Sequence, residues 1–274
     1  MSQNALWTGK RLGVIGAGNM AEALVRGVIA AGVISADRID ACDPQEARRD
    51  LFAGMGCAVS PLPLAIAKCE VVLLAVKPQV VRATIAEAAK HLKPDALIIS
   101  IAAGVPLRVL AGLLAPETKI VRVMPNTPLL VSCGMSALAR GSGVGDVHFE
   151  LAMSLFSAAG LAVEVDESLL DAVTALSGSG PAYLFHFAEA LEAGGREIGL
   201  PSELARTLAV ATLRGAAEML ARGGDPVELR RQVTSPGGTT AAALKILDDA
   251  NFIPLVVRAL QAAQQRSIEL GQNA

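Results

Sequence analysis

The chain has 274 residues, 52% of them hydrophobic but only 3% aromatic, with a formal net charge of -2. That length predicts two domains rather than one. Its Lys and Arg residues are scattered, without the basic cluster that nucleic-acid binding needs. Residues 1–10 lack the charged-then-apolar pattern of a signal peptide, and no apolar run is long enough to cross a bilayer, so a cytoplasmic protein is expected. Cys42, Cys57, Cys69 and Cys133 form no C-x-x-C pair and have few histidines near them. They signal neither a metal site nor a redox pair, and read as small buried residues of a reducing compartment.

From residue 11 to about 165, short β-branched runs alternate with Ala-rich amphipathic stretches, the pattern of a parallel sheet covered by helices. Strands are expected at residues 11–15, 38–42, 71–76, 96–101 and 120–124, with fainter ones near 135–139 and 162–165. The first runs directly into Gly16, Ala17, Gly18, Asn19, Met20 and Ala21, which open a helix reaching about residue 31. This is the context of a dinucleotide fingerprint. The first glycine permits a tight turn, the second lets a pyrophosphate approach the backbone, and Ala21 replaces the third. The expected fold class is α/β, a doubly wound Rossmann-type domain over residues 1–165.

The second strand ends at Asp43-Pro44, where the adenine ribose is read. Asp43 fits either a ribose contact or a helix cap, and Arg48 or Arg49 could pair a phosphate instead. Ligands in open parallel sheets lie beyond the strands' carboxyl ends. Ala75, Val76, Lys77 and Pro78, and likewise Ala102, Ala103 and Gly104, therefore border the crevice of Gly16. Lys77 reads either as a cofactor contact or as a solvated turn residue. In Met124-Pro125-Asn126-Thr127-Pro128, two prolines stiffen the chain, and Asn126 either presents its amide toward the nicotinamide or sits in a stiff turn.

From residue 166 strand signals vanish, and Ala/Leu-rich segments predict an all-helical second domain over residues 166–274. Asp225-Pro226-Val227-Glu228 combines an acidic cap, a proline at the first helical position and a glutamate three residues after the cap. Helices so poor in aromatics need a partner for their apolar faces, which predicts a homodimer. Two strings are too unusual for generic core. Residues 176–183, Leu-Ser-Gly-Ser-Gly-Pro-Ala-Tyr, read as a small-residue turn entering a long helix, and residues 233–240, Val-Thr-Ser-Pro-Gly-Gly-Thr-Thr, enter another.

These strings, with G-A-G-N-M-A at 16–21, A-V-K-P at 75–78, S-I-A-A-G at 100–104 and M-P-N-T-P at 124–128, closely resemble the pyrroline-5-carboxylate reductases. The motifs run in order over nearly the whole chain. The resemblance implies an N-terminal dinucleotide-binding domain and a helical dimerisation domain whose dimers assemble into a larger ring. It also implies reduction of a small imine acid, pyrroline-5-carboxylate, to L-proline with NADP(H) or NAD(H). Ser235, Gly237, Gly238, Thr239, Thr240 and Ser179 then become the candidate substrate residues. The amides opening the helix at 241–247 would dock the carboxylate, and Thr240 would reach the ring nitrogen as the catalytic donor. One departure is Leu62, within Ser60-Pro61-Leu62-Pro63, where many members carry an asparagine touching the adenosine.

Two rival readings make other predictions. A 3-hydroxyacid dehydrogenase of similar plan would need a catalytic lysine on the helix joining the domains, and this chain has none between Lys119 and Lys245. A nonenzymatic nucleotide-binding module would carry a degraded substrate string, whereas residues 235–240 are intact.

Overall fold

A computed structural model describes residues 6–272; residues 1–5 of the stretch read as lacking a leader lie outside them. Eight strands form one sheet: β1 (Leu12–Ile15), β2 (Ile39–Cys42), β3 (Ala58–Ser60), β4 (Val71–Leu74), β5 (Leu97–Ser100), β6 (Lys119–Pro125), β7 (Gly134–Arg140) and β8 (Gly160–Glu164). Their order is β3-β2-β1-β4-β5-β6-β7-β8. The first six run parallel; β7 pairs antiparallel with β6, and β8 pairs parallel with β7. The 3-2-1-4-5-6 portion is the doubly wound order of a dinucleotide-binding domain.

The central strands β1, β4 and β5 are buried at every position and nearly all apolar, because both faces are covered. On one face Val14, Val71, Leu73, Ile99 and Val121 pack with Leu24 and Val28 of helix α1 (Asn19–Ala30). On the other, Val72, Leu74 and Ile98 meet Ile66, Ile85 and Leu110. Further helices in this half are α2 (Glu46–Gly54), α3 (Val81–Ala88), α4 (Leu107–Gly112) and α5 (Asp146–Ser157). A Cβ on Gly27 of α1 would lie 2.8 Å from Ala159 Cβ, so the chain after α5 approaches α1 at glycine distance.

Strand β3 is missing from the β-branched runs read in the sequence. It has three residues, two of them exposed, and pairs with β2 alone at the sheet's edge. No buried apolar pattern therefore marks it.

Beyond β8 the described residues are helical: α6 (Leu170–Val173), a π-turn (Thr174–Gly178), α7 (Gly180–Glu197), α8 (Ser202–Ala221), α9 (Pro226–Gln232), α10 (Thr239–Asp249) and α11 (Phe252–Gln272). The string at 176–183 enters the long helix that the sequence predicts, and its turn is of the π type. Ser179 N–H bonds Thr174 O at 2.8 Å, an i→i−5 bond, and α7 follows at once. The chain forms two compact units, the first running through Ser179 and regaining residues from Ala263 on, the second Gly180–Ala262.

In the first unit, Ser267 Oγ of α11 donates to Asp171 Oδ1 at 2.7 Å. In the second, a Cβ on Gly195 would lie 2.9 Å from Ala205 Cβ, so α7 and α8 pack closely. The cap of α9 is as the sequence predicts, with Glu228 N–H donating to Asp225 Oδ1 at 2.9 Å. No helix of the described residues is long and apolar enough to cross a membrane.

Candidate active site

The cofactor candidates converge at the carboxyl ends of β1, β2, β4 and β5. Gly16 has φ +92°, and a Cβ there would lie 2.7 Å from Ala75 O and 2.8 Å from Val76 Cγ1. Only glycine fits so close to the β4 end. Gly18 is the opposite case: it is exposed at the N-cap of α1, and a Cβ there meets nothing within 4 Å. The first turn of α1 has no side-chain cap, leaving its N–H groups directed at this open space beside exposed Asn19 and half-buried Met20. Ala21 is fully buried in the core under the helix. A turn that demands glycine, an open approach to the second glycine and an uncapped helix start together fit the pyrophosphate of a dinucleotide.

Asp43 serves this loop directly. Its Oδ2 accepts from Ala17 N–H at 2.8 Å, and its Oδ1 accepts from Gln45 N–H at 2.9 Å. The cap of α2 is Gln45, so Asp43 forms an Asx turn tied to the glycine loop and is not the helix cap. Arg48 donates to Ala17 O and to Glu22 Oε2, and Arg49 to Asp43 O and Pro44 O, so both guanidinium groups brace the same loop. Lys77 is exposed, without an ion pair among the described residues.

After β5, Ala102 is buried and Ala103 exposed, and Gly104 has φ +73°. A Cβ on Gly104 would lie 3.2 Å from Leu270 Cβ, and one on Gly271 would lie 3.0 Å from Gly104 O. The end of α11 thus clamps this loop, a support that sequence reading missed. Its one signal is a glycine within the last turn of a long helix.

Asn126 is 9% exposed, and its amide is spent inside the protein. Oδ1 accepts from Met135 N–H at 2.8 Å, and Nδ2 donates to Ser177 O and Ser177 Oγ, each at 3.3 Å. Rather than presenting its amide toward a nicotinamide, the side chain joins β6, β7 and the π-turn. Ser177, absent from the candidates, belongs to the set through this bond.

The remaining candidates, residues 235–240, lie in the second unit. Gly237 has φ +70° with open space around a Cβ, while a Cβ on Gly238 would lie 2.4 Å from Ser235 Oγ. Gly238 N–H bonds Ser235 O at 3.0 Å, closing a turn, and Gly238 is the cap of α10 with no side-chain bond. Thr239 and Thr240 occupy the first two helical positions, so Thr240 is not the cap. Its hydroxyl makes no hydrogen bond among the described residues, and Ser235 and Thr239 are exposed. Uncapped amides beside these hydroxyls form a donor set suited to a small carboxylate.

A glycine turn that fits a dinucleotide and an uncapped helix start that suits a small carboxylate are what an NAD(P)H-dependent oxidoreductase of a small anionic substrate requires. Residues 11–104 match the family described as NADP oxidoreductase, coenzyme F420-dependent, and residues 167–270 match pyrroline-5-carboxylate reductase dimerisation. The chain is 45% identical to pyrroline-5-carboxylate reductase of Pseudomonas aeruginosa over 96% of its own length and 97% of that protein. Among solved structures, the Coxiella burnetii pyrroline-5-carboxylate reductase superposes with a TM-score of 0.90 at 37% identity, covering 95% of this chain and 98% of that one. The Plasmodium falciparum pyrroline carboxylate reductase with NADP bound gives 0.87 at 31% identity, covering 96% and 98%. The chain belongs to the pyrroline-5-carboxylate reductase family. It is an NADP(H)-using oxidoreductase of that family, acting on a CH–NH bond in proline formation, and it carries the family's dimerisation region.

Proposed function

We propose that the chain binds pyrroline-5-carboxylate at the start of α10 and holds its ring nitrogen against the Thr240 hydroxyl. The carrying observation is that Thr240 lies past the cap with an unspent hydroxyl, beside free helix-start amides. When bound, NADPH supplies the hydride. Ser235, Gly237, Gly238 and Thr239 hold the carboxylate through backbone amides and hydroxyls, with no arginine required. Thr240 donates to the ring nitrogen, so the charge shift of imine reduction is met by a donor already in place. Ser179 is a further substrate-binding residue of this reading.

Gly16, Ala17, Gly18, Asn19, Met20 and Ala21 seat the pyrophosphate. Asp43 and Pro44 border the adenosine, with Asp43 acting first as the anchor of the glycine loop. Ala75, Val76, Lys77 and Pro78 with Ala102, Ala103 and Gly104 frame the crevice, while Asn126 acts through its bonds to Met135 and Ser177 rather than on the cofactor. We take residues 1–165 as the functional cofactor domain and 166–274 as the dimerisation and substrate domain, since strands stop at that boundary. Dimers joined into a larger ring and a cytoplasmic location complete the reading. Oxidation of NADPH and NADH, each measured with pyrroline-5-carboxylate and with a panel of 3-oxo acids, tests it. Turnover is expected with the imine, and turnover confined to the oxo acids overturns the proposal.

A further inference from the structure

In an α-helix the carbonyl of residue i accepts the N–H of residue i+4. Four residues after Ser177 stands Pro181, which has no N–H. The chain around this gap forms the π-turn, and the donor found at Ser177 O is Asn126 Nδ2, at 3.3 Å. Asn126 is 9% exposed, and its other amide atom is fixed by Met135 N–H at 2.8 Å, so its orientation is set from β7. The contact is close elsewhere too: a Cβ on Gly178 would lie 2.3 Å from Met124 Cε.

We infer that Asn126 is a positioning residue for the reduction, replacing the amide that Pro181 lacks and thereby holding the Ser177–Ser179 segment in register with the end of β6. The two strings M-P-N-T-P and S-G-S-G-P are then halves of one device. The inference rests on the imine-reductase reading, because that reading assigns Ser179 to the substrate and Ser179 ends the segment that the bond holds. A cofactor that binds through the glycine loop does not depend on it.

The test is a double-mutant cycle with Asn126→Ala and Pro181→Ala, reading kcat for pyrroline-5-carboxylate, KM, NADPH affinity and thermal midpoint. Asn126→Ala is expected to lower kcat at least tenfold while NADPH affinity stays within about twofold. In the Pro181→Ala background residue 181 regains an N–H, and removing Asn126 should then cost threefold or less. Additive losses, or a kcat equal to the parent's in the single variant, overturn the inference. Should the alanine variant not fold, the isosteric Asn126→Asp enters the same cycle; it keeps the acceptor for Met135 N–H and loses the donor, and the same non-additivity is required. A parent enzyme without activity on pyrroline-5-carboxylate would sink the reaction reading instead, and non-additive thermal midpoints would then still report the replaced amide.

Discussion

Two glycines separated by Ala17 have opposite physical reasons to be glycine. Gly16 is held by its positive φ and by Ala75 O at 2.7 Å from any Cβ, whereas Gly18 faces open space. Gly16→Ala should therefore lose about 1–3 kcal/mol of stability through strain and overlap. Gly18→Val should melt near the parent temperature yet lose dinucleotide binding by calorimetry. Tight binding by a folded Gly18→Val protein would contradict the cradle. Buried thiols give a second residue-scale prediction. Burial, and then the Asp40 carboxylate, push Cys42 and Cys57 up to about 11 and Cys69 to about 12; Cys69 Sγ lies 3.7 Å from Asp40 Oδ2. A raised folded pKa favours the protonated thiol, so this stability is fully present below the unfolded value near 9 and is lost as pH rises through 11 to 12. Denaturant midpoints from pH 8 to 11 should fall less steeply when the three are replaced by alanine, and equal slopes would argue against the effect.

Elements were legible in the sequence where burial imposed a pattern. Strands β1, β2, β4, β5 and β6 sit between two apolar layers, and their runs are nearly continuous. The start of α9 was readable because its cap, proline and glutamate act within four residues. Edge strand β3 was not, having no buried face, and neither was the π-turn. At the latter, the Ser177 carbonyl is met by the side chain of a residue 51 positions away, a partner that no local pattern encodes. In the same way, the site's chemical residue types were visible while their supports were not, as with Asp43 on Ala17 and Leu270 against Gly104. At this scale Gly27→Leu is a direct probe of layer packing. Its Cβ would lie 2.8 Å from Ala159 Cβ, and overpacking should cost about 1–3 kcal/mol in denaturant unfolding. An unchanged midpoint would mean that the segment after α5 yields freely.

The second unit leaves large apolar side chains exposed, among them Leu184 at 62%, Phe185 at 65% and Ile253 at 59%. An apolar surface of this kind marks an interface, in agreement with the dimerisation region matched over residues 167–270. Folding and pairing are then linked, and the thermal midpoint should rise with protein concentration. A midpoint constant over a hundredfold range would separate the two. The proposed reaction draws on residues from distant parts of the chain, the glycine loop at 16–21 and the proposed substrate residues 235–240. Its most direct measurement is kcat for pyrroline-5-carboxylate in Thr240→Ala and Thr240→Ser, with NADPH affinity measured alongside. Loss of one preorganised donor is worth about 3 kcal/mol in the transition state, roughly a hundredfold in rate. The alanine enzyme, folded and binding NADPH as the parent does, is expected to turn over about a hundredfold more slowly, while the serine enzyme keeps substantial activity. An alanine enzyme working at nearly the parent rate would contradict the role given to Thr240.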